Sequence, residues 1–181
     1  MRGDNMIKLF SDVPPLKRCN LELKRITERD TEALADFVHS DSVYRYLPTF
    51  LFERKYPDIH EVIEKLYTEA MEESLILGVF FEDCFCGIAE LYGYKDSIHK
   101  VSVGYRLMEC CWGKGIATQT LALMVDYLYG QTDIEIITAS TMVENKASAR
   151  VLEKNGFSLV VSDVDEDWGY SAPTRADKWI R

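Results

Sequence analysis

Residues 107–118, Leu107-Met108-Glu109-Cys110-Cys111-Trp112-Gly113-Lys114-Gly115-Ile116-Ala117-Thr118, read as a strand end, a glycine turn and a helix start. The first turn of a helix carries backbone N–H groups without a helical acceptor, together with the positive end of the helix dipole, so it attracts anions. Gly113 and Gly115 would let a phosphate approach that backbone, because no Cβ atom stands in its path. Two familiar phosphate motifs fit poorly. A Walker turn needs Ser or Thr directly after Gly-Lys, and here Gly115 follows Lys114. A dinucleotide fingerprint wants Gly or Ala where Thr118 stands, and parallel strand–helix alternation upstream. The turn alone does not identify a ligand, so its surroundings decide.

Upstream, residues 75–81 form a nearly unbroken apolar run, Glu82-Asp83 offers a turn, and residues 85–92 follow, which predicts a buried hairpin. Beyond the polar stretch 95–100, residues 101–108 predict a third strand, and the short links imply antiparallel pairing. Nearer the N terminus, residues 21–26 alternate as a half-buried strand. Thr27 to Asp30 supply helix-capping residues ahead of the apolar face Ala33, Leu34, Phe37 and Val38. A second helix is expected over 60–73, with Val62, Ile63, Leu66 and Tyr67 on one side. After the turn come a helix over 116–129, a strand over 134–141, and a helix over 145–154 closed by Asn155-Gly156. A strand over 157–161 and a last one over 176–180, beyond a loop at 162–174, complete the chain. The order predicts a mixed α/β protein with a single domain over 1–181, of which about 1–20 is an N-terminal tail.

With 181 residues and 47% hydrophobic content, the chain can bury a substantial core. Lys8 interrupts the apolar run from Met6 to Phe10 and Pro14-Pro15 stops a helix, so neither a signal peptide nor a membrane span is expected, and the expected location is cytoplasmic. A formal net charge of −9 argues against nucleic acid or an anionic membrane as partner and favours cationic or amine-bearing substrates. The acidic run Asp163, Asp165, Glu166, Asp167 reads as solvated surface. Cys19, Cys84, Cys86, Cys110 and Cys111 lack the paired spacing of a structural zinc site, so no metal is expected and the thiols read as free packing residues in a reducing compartment.

In this context the chain resembles the GCN5-related N-acetyltransferases, in the branch that includes the ribosomal-protein N-terminal acetyltransferases. The resemblance covers roughly 21–161 and is carried by Gly104-Tyr105-Arg106-Leu107, by Trp112-Gly113-Lys114-Gly115-Ile116-Ala117-Thr118, and by the block from Asn145 through Ser148 to Lys154, Gly156 and Phe157. It implies a GNAT-type α/β fold: a mixed, mostly antiparallel central sheet flanked by helices, with a splayed pair of strands holding acetyl-CoA as cosubstrate. The pyrophosphate would rest on the backbone of Trp112, Gly113, Lys114, Gly115, Ile116, Ala117 and Thr118. The pantetheine arm would pair with Leu107 and Met108 and meet Asn145, and Ser148 would stand near the sulfur as proton donor. Asn145 and Ser148 also suit helix capping. Two positions depart from the family pattern: Cys110 stands where Arg or Gln is frequent, and Ser102 where a glutamate is a common base.

Acetyl transfer to an amine needs a neutral amine, a polarised thioester carbonyl and a departing thiolate. An alkyl ammonium, with a pKa of about 10, needs a proton acceptor near neutral pH, and an α-amine, nearer 8, needs less help. With Ser102 in the usual place of the base, Glu90 on the adjacent strand is the candidate, directly or through water; its alternative reading is a solvent-facing strand residue. Tyr92, Tyr105 and His99 are lesser candidates. The expected enzyme transfers acetyl from acetyl-CoA to a primary amine, on a small molecule or a protein N terminus, as monomer or homodimer. The rivals are a non-catalytic acyl-CoA-binding module, which Ser102 raises, and a nucleotide-binding oxidoreductase, which rests on the glycine turn alone. The loops 43–58 and 162–174 carry no motif that names the acceptor.

Overall fold

Strand β3 (Ser74–Phe81) is buried on both faces, which is why its sequence is an apolar run rather than an alternation. Leu75, Leu77 and Val79 enter one hydrophobic cluster and Ile76 enters the other, so the strand divides the core into two layers. The computed structural model describes residues 9–181. The chain turns from β3 into β4 (Cys84–Lys95) through Glu82 and Asp83, both at positive φ, as a two-residue hairpin with right-handed strand twist requires.

Around this hairpin lie β1 (Leu16–Arg18), β2 (Leu21–Lys24), β5 (Lys100–Leu107), β6 (Ile136–Met142), β7 (Ser158–Glu166) and β8 (Thr174–Ile180). All eight form one open sheet in the order β1-β2-β3-β4-β5-β6-β8-β7, in which β5 against β6 is the parallel contact and the other pairs are antiparallel. The helices are α1 (Thr31–Val38), α2 (Asp41–Tyr44), α3 (Ile59–Leu66), α4 (Ile116–Gln131) and α5 (Lys146–Lys154). Helix α4 buries Leu121, Met124, Val125 and Leu128 against one face of the sheet. Helices α1 and α3 cover the other face with Leu34, Phe37, Val62, Ile63 and Leu66. Each fully buried side chain of this kind stabilises the fold by roughly 1.5–3 kcal/mol.

Several boundaries differ from those expected. Residues 9–20 are more than a tail, since Leu9 and Leu16 are buried and β1 pairs with β2; residues 1–8, and with them most of the run at 6–10, lie outside the described residues. Helix α3 stops at Leu66 because Tyr67 leaves the helical path, its hydroxyl accepting the Ile26 N–H at 2.6 Å, and only a 3-10 turn, Ala70–Glu72, follows. Strand β6 starts at Ile136 because Glu135 and Ile136 both donate to the carbonyl of His99. The acidic run is largely exposed, as a solvated surface run should be, but most of it extends β7 past residue 161 instead of lying in a loop, and there Arg175 of β8 binds Asp163 at 2.7 Å and Asp165 at 2.8 Å. Among the described residues, no helix is long and apolar enough to cross a membrane.

Gly87 sets how closely β4 and β5 approach. Its φ is +149°, and a Cβ there would lie 2.2 Å from the Arg106 carbonyl oxygen and 2.8 Å from Leu107 Cα. Both are backbone atoms that cannot rotate away. Gly87→Ala is therefore expected to destabilise the fold by on the order of 2–4 kcal/mol in urea unfolding; an unchanged midpoint would contradict this strand spacing.

Candidate active site

Parallel pairing of β5 with β6 lasts for three residue pairs, Lys100↔Ile136, Val101↔Ile137 and Ser102↔Thr138. Past Ser102, β5 stays with β4 as far as Leu107 and β6 stays with β8 as far as Met142, so a gap opens in the middle of the sheet. Backbone direction alternates along a strand. Met108 N–H donates to Cys86 at 2.8 Å on the β4 side, and the carbonyl of His99 accepts from Ile136 on the β6 side. The even-numbered residues of β5 thus engage β4, while Tyr105 and Leu107 turn their backbone toward the gap. Met108 does not: its N–H is held by Cys86 and its carbonyl by Cys111 N–H at 2.9 Å. Of the two residues expected to face the cofactor arm, Leu107 thus turns its backbone toward the gap, as Tyr105 does, and Met108 turns it toward β4.

Beyond the gap, Gly113 and Gly115 adopt φ values of +73° and +75°, and α4 begins at Ile116. The first helical bond runs from Gln119 N–H to the Gly115 carbonyl at 3.1 Å, which leaves the amides of Ile116, Ala117 and Thr118 ahead of the ladder. No acidic residue occupies this first turn. A Cβ on Gly113 would meet nothing within 4 Å, and one on Gly115 only Gln119 Nε2 at 3.9 Å, so space lies open above the turn. Trp112, 48% exposed, folds back so that its indole N–H donates to the Leu107 carbonyl at 2.8 Å, and Lys114 is exposed. Burial, followed by contacts with Cys86 and Cys110, pushes the Cys111 thiol well above its ordinary value, which fits a packing role.

The opposite wall is the end of β6 and the start of α5. Asn145 caps that helix, its Oδ1 accepting the Ser148 N–H at 3.1 Å, and the Ser148 hydroxyl accepts a hydrogen bond from Tyr105 Oη at 3.3 Å across the gap. Sequence spacing had placed Asn145 and Ser148 on one helical turn; Tyr105 joins them only in three dimensions. Ser102, at the root of the gap, is buried against Thr138 Oγ1 at 2.9 Å and accepts from Lys100 Nζ at 3.0 Å.

Glu90 lies opposite Gly104, on the sheet face covered by α1 and α3. Its Oε2 accepts from Arg106 Nη1 at 2.9 Å, and Arg106 is in turn held by both oxygens of Glu53, at 2.6 and 2.7 Å. Burial opposes the charge on Arg106, but Glu53 and Glu90 outweigh it and raise its pKa further. Sequence reading did not single out Glu53, which stands in an undecoded loop. The signal it missed was Arg106, a charged residue in a strand whose neighbours Val101 and Val103 are core.

All these walls enclose one cavity of about 1140 Å³. Its lining also includes Tyr46, Phe50 and Trp168, the acidic residues Glu72, Glu73, Glu90, Glu166 and Asp167, and the basic residues Arg106, Arg150 and Lys154. Two loops without a recognisable motif meet here: Thr49 N–H donates to the Trp168 carbonyl at 2.9 Å, and Tyr170 Oη donates to the Leu47 carbonyl at 2.7 Å. Among the described residues, no group of three or more His, Cys, Asp or Glu is placed to hold a metal ion.

An open mixed sheet, split beside a glycine-led helix, defines an α/β protein built around an extended ligand cleft. The acetyltransferase (GNAT) domain model matches residues 20–158, and the chain belongs to that family. It is 31% identical over 125 residues to the probable N-acetyltransferase YjcK of Bacillus subtilis (strain 168), which spans 67% of each chain. Among solved structures it is similar to the ribosomal-protein alpha-N-acetyltransferase RimL in complex with coenzyme A, with a TM-score of 0.78 and 18% identity over 93% of this chain and 97% of that one. A spermidine N-acetyltransferase from Vibrio cholerae, in complex with CoA and spermine, has a TM-score of 0.73 and 18% identity over 90% and 95% of the two chains. These two structural likenesses show the fold.

Burial pushes the Tyr105 hydroxyl from its ordinary 10.0 up to about 12, with the bond to Ser148 acting weakly the other way. Between those values the unfolded chain releases a phenolic proton that the folded chain retains, so stability present below pH 10.0 is lost as the pH rises toward 12. Urea midpoints should fall across this window, and less steeply in Tyr105→Phe. Equal slopes for the two proteins would mean that Tyr105 ionises freely.

Proposed function

We propose that the protein is an acyl-CoA-dependent N-acetyltransferase that moves the acetyl group of acetyl-CoA to a primary amine by direct attack in a ternary complex. The observation that carries this reading is the gap between β5 and β6, which belongs to one cavity lined both by a glycine-led helix start and by a group of acidic residues. The cosubstrate's pyrophosphate would rest on the amides from Trp112 to Thr118, with its arm along Tyr105 and Leu107 and beside Asn145. The amine nitrogen attacks the thioester carbonyl carbon, a tetrahedral oxyanion forms, and the C–S bond breaks. A backbone N–H of β5 turned into the gap stabilises the oxyanion. Ser148 donates a proton to the leaving thiolate; the bond it accepts from Tyr105 leaves its own hydrogen free to point elsewhere. Glu90 takes the ammonium proton before attack, directly or through water, and the second proton, shed by the nitrogen of the tetrahedral adduct, returns through solvent to Ser148.

The acceptor is a cationic amine, and Glu72, Glu73 and Asp167 of the cavity lining support that class, since they stand apart from the ion pairs that hold Glu90 and Glu166. Protein N termini and polyamines both belong to it, and the solved relatives acting on a ribosomal protein and on spermidine favour the same choice. Free cysteines at Cys19, Cys84, Cys86, Cys110 and Cys111 support a cytoplasmic setting. The alternative, an acyl-CoA-binding module without catalysis, draws on Ser102 in the place of the usual base. Thiol release from acetyl-CoA across a panel of amines and N-terminal peptides separates the two: CoA binding without release under any acceptor would establish the module.

Two variants test the cofactor end and the chemical end separately. Gly115→Glu puts a charged side chain into the open space above the turn, and should weaken CoA binding by calorimetry about tenfold or more while the protein stays folded. Unchanged affinity would remove CoA from this turn. Ser148→Ala should lower kcat about a hundredfold with little change in acetyl-CoA affinity, the usual size of general-acid assistance. Turnover within about twofold of the parent would reduce Ser148 to a helix residue.

A further inference from the structure

Three charged side chains meet behind the chamber wall in a chain that runs from loop to cavity. Glu53, on the segment between α2 and α3, is 0% exposed, and its Oε1 also accepts from Tyr44 Oη at 3.1 Å. Both its oxygens grip Arg106, whose side chain is 3% exposed, through Nε and Nη2. A guanidinium is planar, so two bonds on one edge fix the direction of the remaining N–H groups. That direction is toward Glu90, whose side chain is 14% exposed and forms part of the cavity wall.

We propose that Glu53 and Arg106 are positioning residues for Glu90: Glu53 fixes the guanidinium by one edge, and the remaining N–H group of Arg106 holds the Glu90 carboxylate at the cavity wall. The proposal rests on the reading of Glu90 as the amine's base. Tyr92, on the same strand as Glu90, feels the charges of Glu90, Glu166 and Arg106, while Tyr44 of α2 feels those of Glu53, Arg106 and Arg54; Glu166 of β7 is met by Lys178 of β8 at 2.5 Å. Glu72 and Glu73, just before β3, line the same cavity. None of these reaches both Arg106 and Glu90 with a hydrogen-bonded fork. A purely structural pair would tie the loop to the sheet with no influence on proton transfer, and the two roles separate by experiment.

Glu53→Gln keeps the shape of the contact and removes its charge. The expected result is a folded protein with acetyl-CoA affinity within about twofold of the parent and kcat/KM lowered about tenfold. The loss should fall on kcat rather than on the KM for acetyl-CoA, since the amine's base is displaced while the cofactor cleft is untouched. In a Glu90→Gln background, adding Glu53→Gln should lower kcat/KM no further. A Glu53→Gln protein that melts earlier but keeps the parent kcat/KM would overturn the positioning role alone. Superimposable parent and Glu90→Gln profiles would overturn Glu90 as the base, and the positioning role with it. If Glu53→Gln does not fold, Arg106→Lys carries the test, since one ammonium cannot span both carboxylates as the fork does: reduced kcat/KM with unchanged acetyl-CoA affinity supports the proposal, and parent-like kcat/KM refutes it.

Discussion

The cavity exists because the parallel pairing of β5 and β6 ends after Ser102 and Thr138. Every backbone group in a sheet interior needs a partner, and parting two strands leaves a row of donors and acceptors facing each other across an opening. Here the strand ends are held apart from outside. Leu107 is kept against Gly87 by β4, and Met142 against Ala176 by β8, so neither strand can close the gap without giving up an antiparallel partner. The glycine turn and α4 follow the end of β5, and α5 follows the end of β6. Each wall of the cleft is therefore the direct continuation of one of the two parted strands.

The two sheet faces serve different ends. On the α4 side the odd-numbered residues of β5, Val101, Val103 and Leu107, pack in an ordinary hydrophobic layer. On the other face the same strand presents Ser102, Gly104 and Arg106, a polar row next to a core of Phe37, Ile76 and Ile88. Removing one partner from a buried charge pair typically costs about 3–5 kcal/mol, because the survivor is left without water or counter-charge. Replacing the whole set with apolar residues is often neutral or stabilising. A buried arginine that binds two carboxylates is thus weak support for stability as such, and its value lies in fixing a direction. The exposed contacts of Arg175 with Asp163 and Asp165 differ, since water and salt screen them and they contribute little beyond covering an edge strand.

The parts of the fold that sequence displayed well were those where local chemistry and tertiary need coincide. The β3–β4 hairpin was legible because its turn residues and its apolar run demand the same thing. Helix α4 was legible because the glycines that open it and the stripe that buries it are both local signals. Where tertiary contacts overrode local preference, reading failed: Tyr67 abandons a good helical sequence to reach Ile26, and Asp163 and Asp165 enter a strand because Arg175 stands beside them.

By itself the sequence determined the mixed sheet with its antiparallel hairpin, the glycine-led helix, the Asn145 to Phe157 block and hence the family, since each of these is written in residues close together along the chain. Only the tertiary structure decided which backbone groups of β5 face the gap, that Tyr105 reaches Ser148, and that Glu53 meets Arg106 and Glu90. It also decided that two loops without a motif close over one chamber. The physical reason is the same in each case. Side-chain period and turn chemistry are local and survive in a one-dimensional reading, whereas a charge in a distant loop acquires its meaning from whatever the fold places beside it.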